Sequence, residues 1–171
     1  APLAIALGNV QLYVAENSAR NQAEILRRVA ADLNSSLELE PLLKQILEYL
    51  EQVIPYDSAT IFLEKEGSLN VVARRGAYRA IYHDTIDLGN EELAVNKVFK
   101  LGQPRLIPDT KTDPTWIPYP GFEYIRCWLA IPLQVKGKPI GALTLDNVVA
   151  RFYTEKNQEI ALAFANQAAV A

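Results

Sequence analysis

Apolar positions recur at intervals of three and four from Leu39 to Ile54, where Leu39, Leu42, Leu43, Ile46, Leu47, Leu50, Val53 and Ile54 form one stripe. That spacing predicts an amphipathic helix with a broad buried face. Pro41 falls in its first turn, where a missing N–H does no harm, and Pro55 stops it. Leu3 to Leu33 also reads as helical, with Leu12, Ala15, Ala19, Leu26, Val29, Ala30 and Leu33 roughly along one side, until Asn34-Ser35-Ser36 interrupts it. Beyond Pro55 the pattern is that of strands. Ser58 to Lys65 (SATIFLEK) and Ser68 to Arg74 (SLNVVAR) flank Glu66-Gly67 and predict a hairpin. Cys127 to Val135 is almost wholly apolar, and Lys136-Gly137-Lys138 joins it to Pro139 to Leu145, after which Asp146-Asn147 reads as a turn. Strands this apolar are covered on both faces, so this second hairpin is expected at the centre of an antiparallel sheet.

The remaining segments complete the layout. Gly76 to Asn90 reads as irregular, and Asn90 is expected to cap a helix from Glu91 to Leu101 that Gly102 closes. Pro104 to Ile107 predicts a short strand near an edge, because proline cannot donate to a central ladder. Pro108 to Tyr124 is a long loop with four prolines and the rings of Trp116, Tyr119, Phe122 and Tyr124, a length typical of lids and binding segments. Thr154 caps a final helix from Glu155 to Ala171 that lacks a C-cap signal. Five strands with no βαβ pattern imply an α+β fold with helices on both faces of the sheet.

Composition narrows the partners. Half of the 171 residues are hydrophobic and 22% charged, ordinary for a soluble domain with a core. The net charge of -3, with scattered Lys and Arg, argues against a nucleic-acid partner. A single cysteine and a single histidine supply neither a disulfide framework nor a Cys/His zinc site. The longest uncharged run, Ala1 to Ala15, is too short and polar for a membrane span, and no basic start marks a secretory signal. A cytoplasmic location and no membrane contact by this segment are expected. The absence of methionine leads us to expect a piece of a longer protein.

In this layout the chain resembles a GAF domain, the small sensory domain of signalling proteins. The resemblance rests on Tyr56-Asp57-Ser58-Ala59, Arg75-Gly76, Gly102-Gln103-Pro104, Ile107-Pro108-Asp109, Asp113-Pro114, Trp128 to Leu133, Gly141 to Asp146, and Phe152, in that order and spacing. It implies a GAF/profilin-like antiparallel sheet of five to six strands in the order 2-1-5-4-3, with terminal helices on one face. It implies, on the other face, a ligand pocket under the 91–101 helix and the 108–125 loop. Members of this kind run in tandem, so residues 1–19 are expected to be a linker helix from a preceding domain, and 20–171 the GAF domain with its last helix cut short. The resemblance also implies a homodimer through the helical ends, and an output domain in the same chain, such as that of a sensor histidine kinase or a cyclic-di-nucleotide enzyme.

Bilin-binding GAF domains attach the chromophore through a cysteine usually followed by histidine; Trp128 follows Cys127 here, and Cys127 reads as a small core hydrophobe. Methionine-sulfoxide-reducing GAF proteins use several cysteines, and this chain has one. His83, a conceivable haem ligand, reads as an exposed loop residue. Asn96-Lys97 lacks the downstream acidic pair of cyclic-nucleotide-binding members. Asp109 and Asp113 read as turn and cap residues rather than acid and base. No nucleophile, base and orienter assemble into a catalytic constellation, so a non-enzymatic sensor without a resident cofactor is expected. The ligand-binding residues expected are Thr60, Phe62, Tyr82, Trp116, Tyr119, Phe122, Arg126, Trp128 and Thr144, with aromatic area for an unknown small molecule and Arg126 as an anchor for an anion. The alternative is a structural dimerisation module without a ligand.

Overall fold

A computed structural model describes residues 23–27, 39–76 and 84–170. Most of the expected first helix and its pairing with a second copy therefore lie outside the described residues, as do Tyr82 and His83. Within it, residues 23–27 are helical, with Ile25 and Leu26 buried. Helix α1 (Leu39–Val53) buries Leu42, Leu43, Ile46, Leu47, Tyr49 and Leu50, the stripe that its three-and-four spacing predicts. The Tyr56 hydroxyl donates to the Leu47 carbonyl at 2.6 Å and ties the helix end to the first strand.

Six strands follow the expected pairing. β1 (Ser58–Lys65), β2 (Ser68–Gly76), β3 (Thr85–Asp87), β4 (Arg105–Ile107), β5 (Cys127–Val135) and β6 (Lys138–Asn147) form one antiparallel sheet in the order β3-β2-β1-β6-β5-β4. Counting only the five expected strands, this is 2-1-5-4-3, and β3 is the extra edge strand. β4 pairs with β5 and forms the opposite edge, where a short strand was expected. Lys136 and Gly137, at φ 53° and 76°, turn β5 into β6, and glycine takes the second of these positive angles without strain.

Strand alternation sorts the core into two layers. Ala59 and Ile61 of β1, Cys127, Leu129, Ile131 and Leu133 of β5, and Leu143 and Leu145 of β6 face the back. There they pack with α1 and with α3 (Glu155–Ala169), whose Phe164 is fully buried. Phe62, Trp128, Ala130 and Ala142 face the front, under α2 (Ala94–Leu101). Thr154 opens α3 with reciprocal bonds to Asn157, as its residue type predicts.

Three expectations change. Part of the stretch read as irregular forms β3, with Ile86 beside Leu69, because three residues carry too little periodicity to be read as a strand. Helix α2 begins at Ala94, not Glu91, and Asn90 is not its cap. The buried Asn96 carboxamide instead donates to the carbonyls of Asp87 and Asn90, at 2.9 and 2.7 Å, and holds 91–93 as a turn before the helix. Asp146 and Asn147 do not end β6 as a turn; they pair with Trp128 and Cys127, buried.

Candidate functional site

The front face of the sheet carries short side chains where α2 passes over it. Thr144 of β6 lies between Thr60 of β1 and Ala130 of β5 in the cross-strand register. Small residues in the middle of the face leave depth that Phe62 and Trp128 wall in. The result is a hollow of about 70 Å3. Thr60, Phe62, Trp128, Thr144 and Asp146 line it from the sheet, and Leu93, Ala94 and Val95 line it from the start of α2. Ile86 of β3 and, from the 108–125 loop, Trp116, Ile117, Tyr119, Phe122 and Ile125 complete it.

The loop is held over the hollow by aromatic contacts and by a clasp at its base. Trp116 meets Trp128 edge to face, with centroids 5.4 Å apart, and Phe122 lies between Tyr119 and Tyr124 at 6.0 and 6.4 Å. At the base, Arg126 Nε and Nη2 donate to both Asp109 oxygens, at 3.2 and 3.1 Å. That bond first, and the Lys111 backbone N–H second, hold the Asp109 carboxyl below its usual range. Thr110 N–H donates to the Arg126 carbonyl and Arg126 N–H to the Asn147 carbonyl, so both ends of the loop join the sheet. Asp113 accepts from the Thr115 N–H, the turn role its residue type predicts.

Seven of the nine residues expected to bind ligand thus line one hollow: Thr60, Phe62, Trp116, Tyr119, Phe122, Trp128 and Thr144. Tyr82 lies outside the described residues. Arg126 does not line the hollow. A carboxylate of the chain itself, Asp109, occupies the guanidinium that was expected to anchor an anion. Cys127 is fully buried on the back face, one strand position away from Trp128 and on the opposite side of the sheet.

Asp146 is the residue that sequence reasoning missed. It is 5% exposed and lines the hollow. Its Oδ2 accepts from the Ser58 hydroxyl at 2.7 Å and the Tyr124 hydroxyl at 3.2 Å, whereas Oδ1 has no hydrogen-bond partner among the described residues. Burial pushes its carboxyl up to about 7 against these two hydrogen bonds and a weaker one from the Ser58 backbone, and nearby Asp57 pushes it the same way. Burial first, and then the Asp146 charge, push the Tyr124 phenol up, so it remains a donor at neutral pH. The parity of the strand held the signal: Ala142, Thr144 and Asp146 are spaced by two and share the front face.

Comparison with known proteins agrees with this architecture. The GAF domain family model matches residues 38–171. A GAF domain of a phosphoenolpyruvate-protein phosphotransferase from Coxiella burnetii superposes with a TM-score of 0.72 at 22% identity, covering 89% of this chain and 92% of that one. A free methionine-R-sulfoxide reductase from Neisseria meningitidis, in complex with its substrate, gives 0.72 at 16% identity over 90% of this chain and 87% of that one. The Nif-specific regulatory protein of Azospirillum lipoferum is 24% identical over 126 residues, 70% of this chain. The chain spans about a fifth of the length of the curated relatives it matches. With the family model covering the sheet, its helices and the loop over the hollow, the chain belongs to the GAF domain family.

Proposed function

We propose that the chain is a non-enzymatic sensory domain of a cytoplasmic multidomain signalling protein, which binds a small molecule in the hollow under α2 and the 108–125 loop. What supports it most is the hollow itself: a cleft of about 70 Å3 with aromatic walls, short polar side chains on its floor and a buried carboxylate at one end. The similarity to a Nif-specific regulatory protein fits a regulatory setting. An enzymatic role by thiol chemistry gains no support, because the only cysteine, Cys127, faces the helices at the back of the sheet.

A route from the hollow to the terminal helix is available. The Asp146 side chain faces the ligand space, while its backbone carbonyl accepts from the Tyr153 hydroxyl at 3.0 Å and from the Asp57 N–H at 3.0 Å. Tyr153 directly precedes Thr154, the cap of α3. A ligand that shifts Asp146 would shift the start of α3, and with it a helix that in a dimer would pass the change to an output domain.

Native mass spectrometry of freshly purified protein, with a thermal-shift screen of small metabolites, tests this reading. The expected result is a ligand that raises the melting temperature of the native protein but not of Thr144→Phe, whose ring fills the floor. A dimer with no accompanying mass and no shift would favour the other reading, a structural dimerisation module whose aromatic loop serves only to cover the sheet.

A further inference from the structure

Taking the hollow to be a ligand site, as proposed above, we infer that its ligand is a small organic cation that pairs with the Asp146 carboxylate. Among the described residues, the lining holds no Lys, Arg or His, and Asp146 is its one charged side chain. An anion would meet that carboxylate with no lining cation among the described residues to balance it. Oδ2 already accepts from the Ser58 and Tyr124 hydroxyls, so its lone pairs are in use. Oδ1 is buried and has no hydrogen-bond partner among the described residues, which costs free energy that a donor reaching the carboxylate would relieve. The rings of Trp116, Trp128 and Phe122 line the same space, and the faces of such rings attract a cation.

The electrostatic surroundings agree. Besides Tyr124, the groups nearest Asp146 are the Asp57 carboxylate, which adds to the negative field, and the Tyr153 phenol, which burial keeps protonated. Arg74 of β2 acts on Tyr124. Burial first, and the Asp57 charge with it, hold the Asp146 carboxyl near 7, so an entering cation would favour its ionised form and release a proton near neutral pH.

The chain's two tryptophans, Trp116 and Trp128, both line the hollow, so intrinsic fluorescence reports its occupancy. Butylammonium, butanol and butyrate have the same reach and differ in charge, and all three are transparent where tryptophan absorbs. Titrated into the native protein, butylammonium should saturate at a concentration about tenfold or more below butanol, and butyrate should not saturate. In folded Asp146→Asn, the amine and the alcohol should bind within about twofold of each other. Equal binding of amine and alcohol to the native protein, or preferred binding of butyrate, would overturn the cation assignment and leave a small-molecule site standing. An amine preference that survives Asp146→Asn would overturn the role of this carboxylate. No saturable change with any of the three would remove the ligand site itself. Comparison of the three probes on the native protein is decisive even if the variant does not fold.

Discussion

At Asp146, burial and hydrogen bonding pull in opposite directions, and burial wins. Its folded pKa of about 7 stands above the ordinary 3.8, so the folded state holds a proton that the unfolded state gives up between those values. The stability this confers is full below about pH 4 and lost as pH rises through about 7. Asp146→Asn removes the titration. The variant should therefore gain on the native protein across this window, by at most about 4 kcal/mol, as read from urea midpoints at a series of pH values. Parallel pH profiles would show that the carboxyl is not strained. Gly141 carries a constraint of another kind: a Cβ built there would lie 2.0 Å from the Phe62 carbonyl oxygen on the neighbouring strand. Gly141→Ala must push β1 and β6 apart, and a loss of about 3 kcal/mol in urea unfolding is expected. Unchanged stability would mean that the two strands have slack.

The elements over the hollow are fastened at their ends rather than along their length. Gln134 donates to the Gly102 carbonyl at the C-terminal end of α2, and Asn96 fastens its beginning to the β3–α2 turn. The Arg126–Asp109 pair closes the base of the loop. Arg126→Ala should leave the cooperative unfolding of the domain in place while trypsin cuts after the exposed Lys111 about tenfold faster, since opening the loop then requires less energy. Cleavage at the native rate would show that the aromatic contacts alone hold it. These fastenings also mark where the sequence stops being informative. The stripe on α1 and the apolar runs of β5 and β6 are legible, because burial repeats with the period of the element. Asn96 is not, since its partners are main-chain carbonyls that only the folded turn presents to it. Arg126 is misread for a similar reason: beside a cluster of rings it resembles an anion anchor until the fold brings Asp109 to it. Asp146-Asn147 has the composition of a turn, and only pairing with Trp128 and Cys127 extends the strand through it.

In the molecule as a whole, the sheet is a partition with two uses. Its back holds α1 and α3 with fully buried aliphatic side chains, and its front holds the hollow with threonines, aromatic rings and one carboxylate. No helix among the described residues is long and apolar enough to cross a membrane. The coupling proposed between the faces would run through backbone that both share, most directly the Asp146 carbonyl, which accepts from the Tyr153 hydroxyl. Tyr153→Phe should leave ligand affinity within about twofold and suppress any ligand-dependent change in α3, because the binding side chain is untouched while its link to the helix is cut. Loss of affinity on that substitution would instead make Tyr153 a support of the site. The most direct test of the account is amide hydrogen exchange of the native protein with and without a saturating ligand from the thermal-shift screen. Protection should rise in the 108–125 loop and in Ala94–Leu101, with an accompanying change in the first turns of Glu155–Ala169. Protection confined to other surfaces, with the loop and α2 exchanging as before, would contradict it.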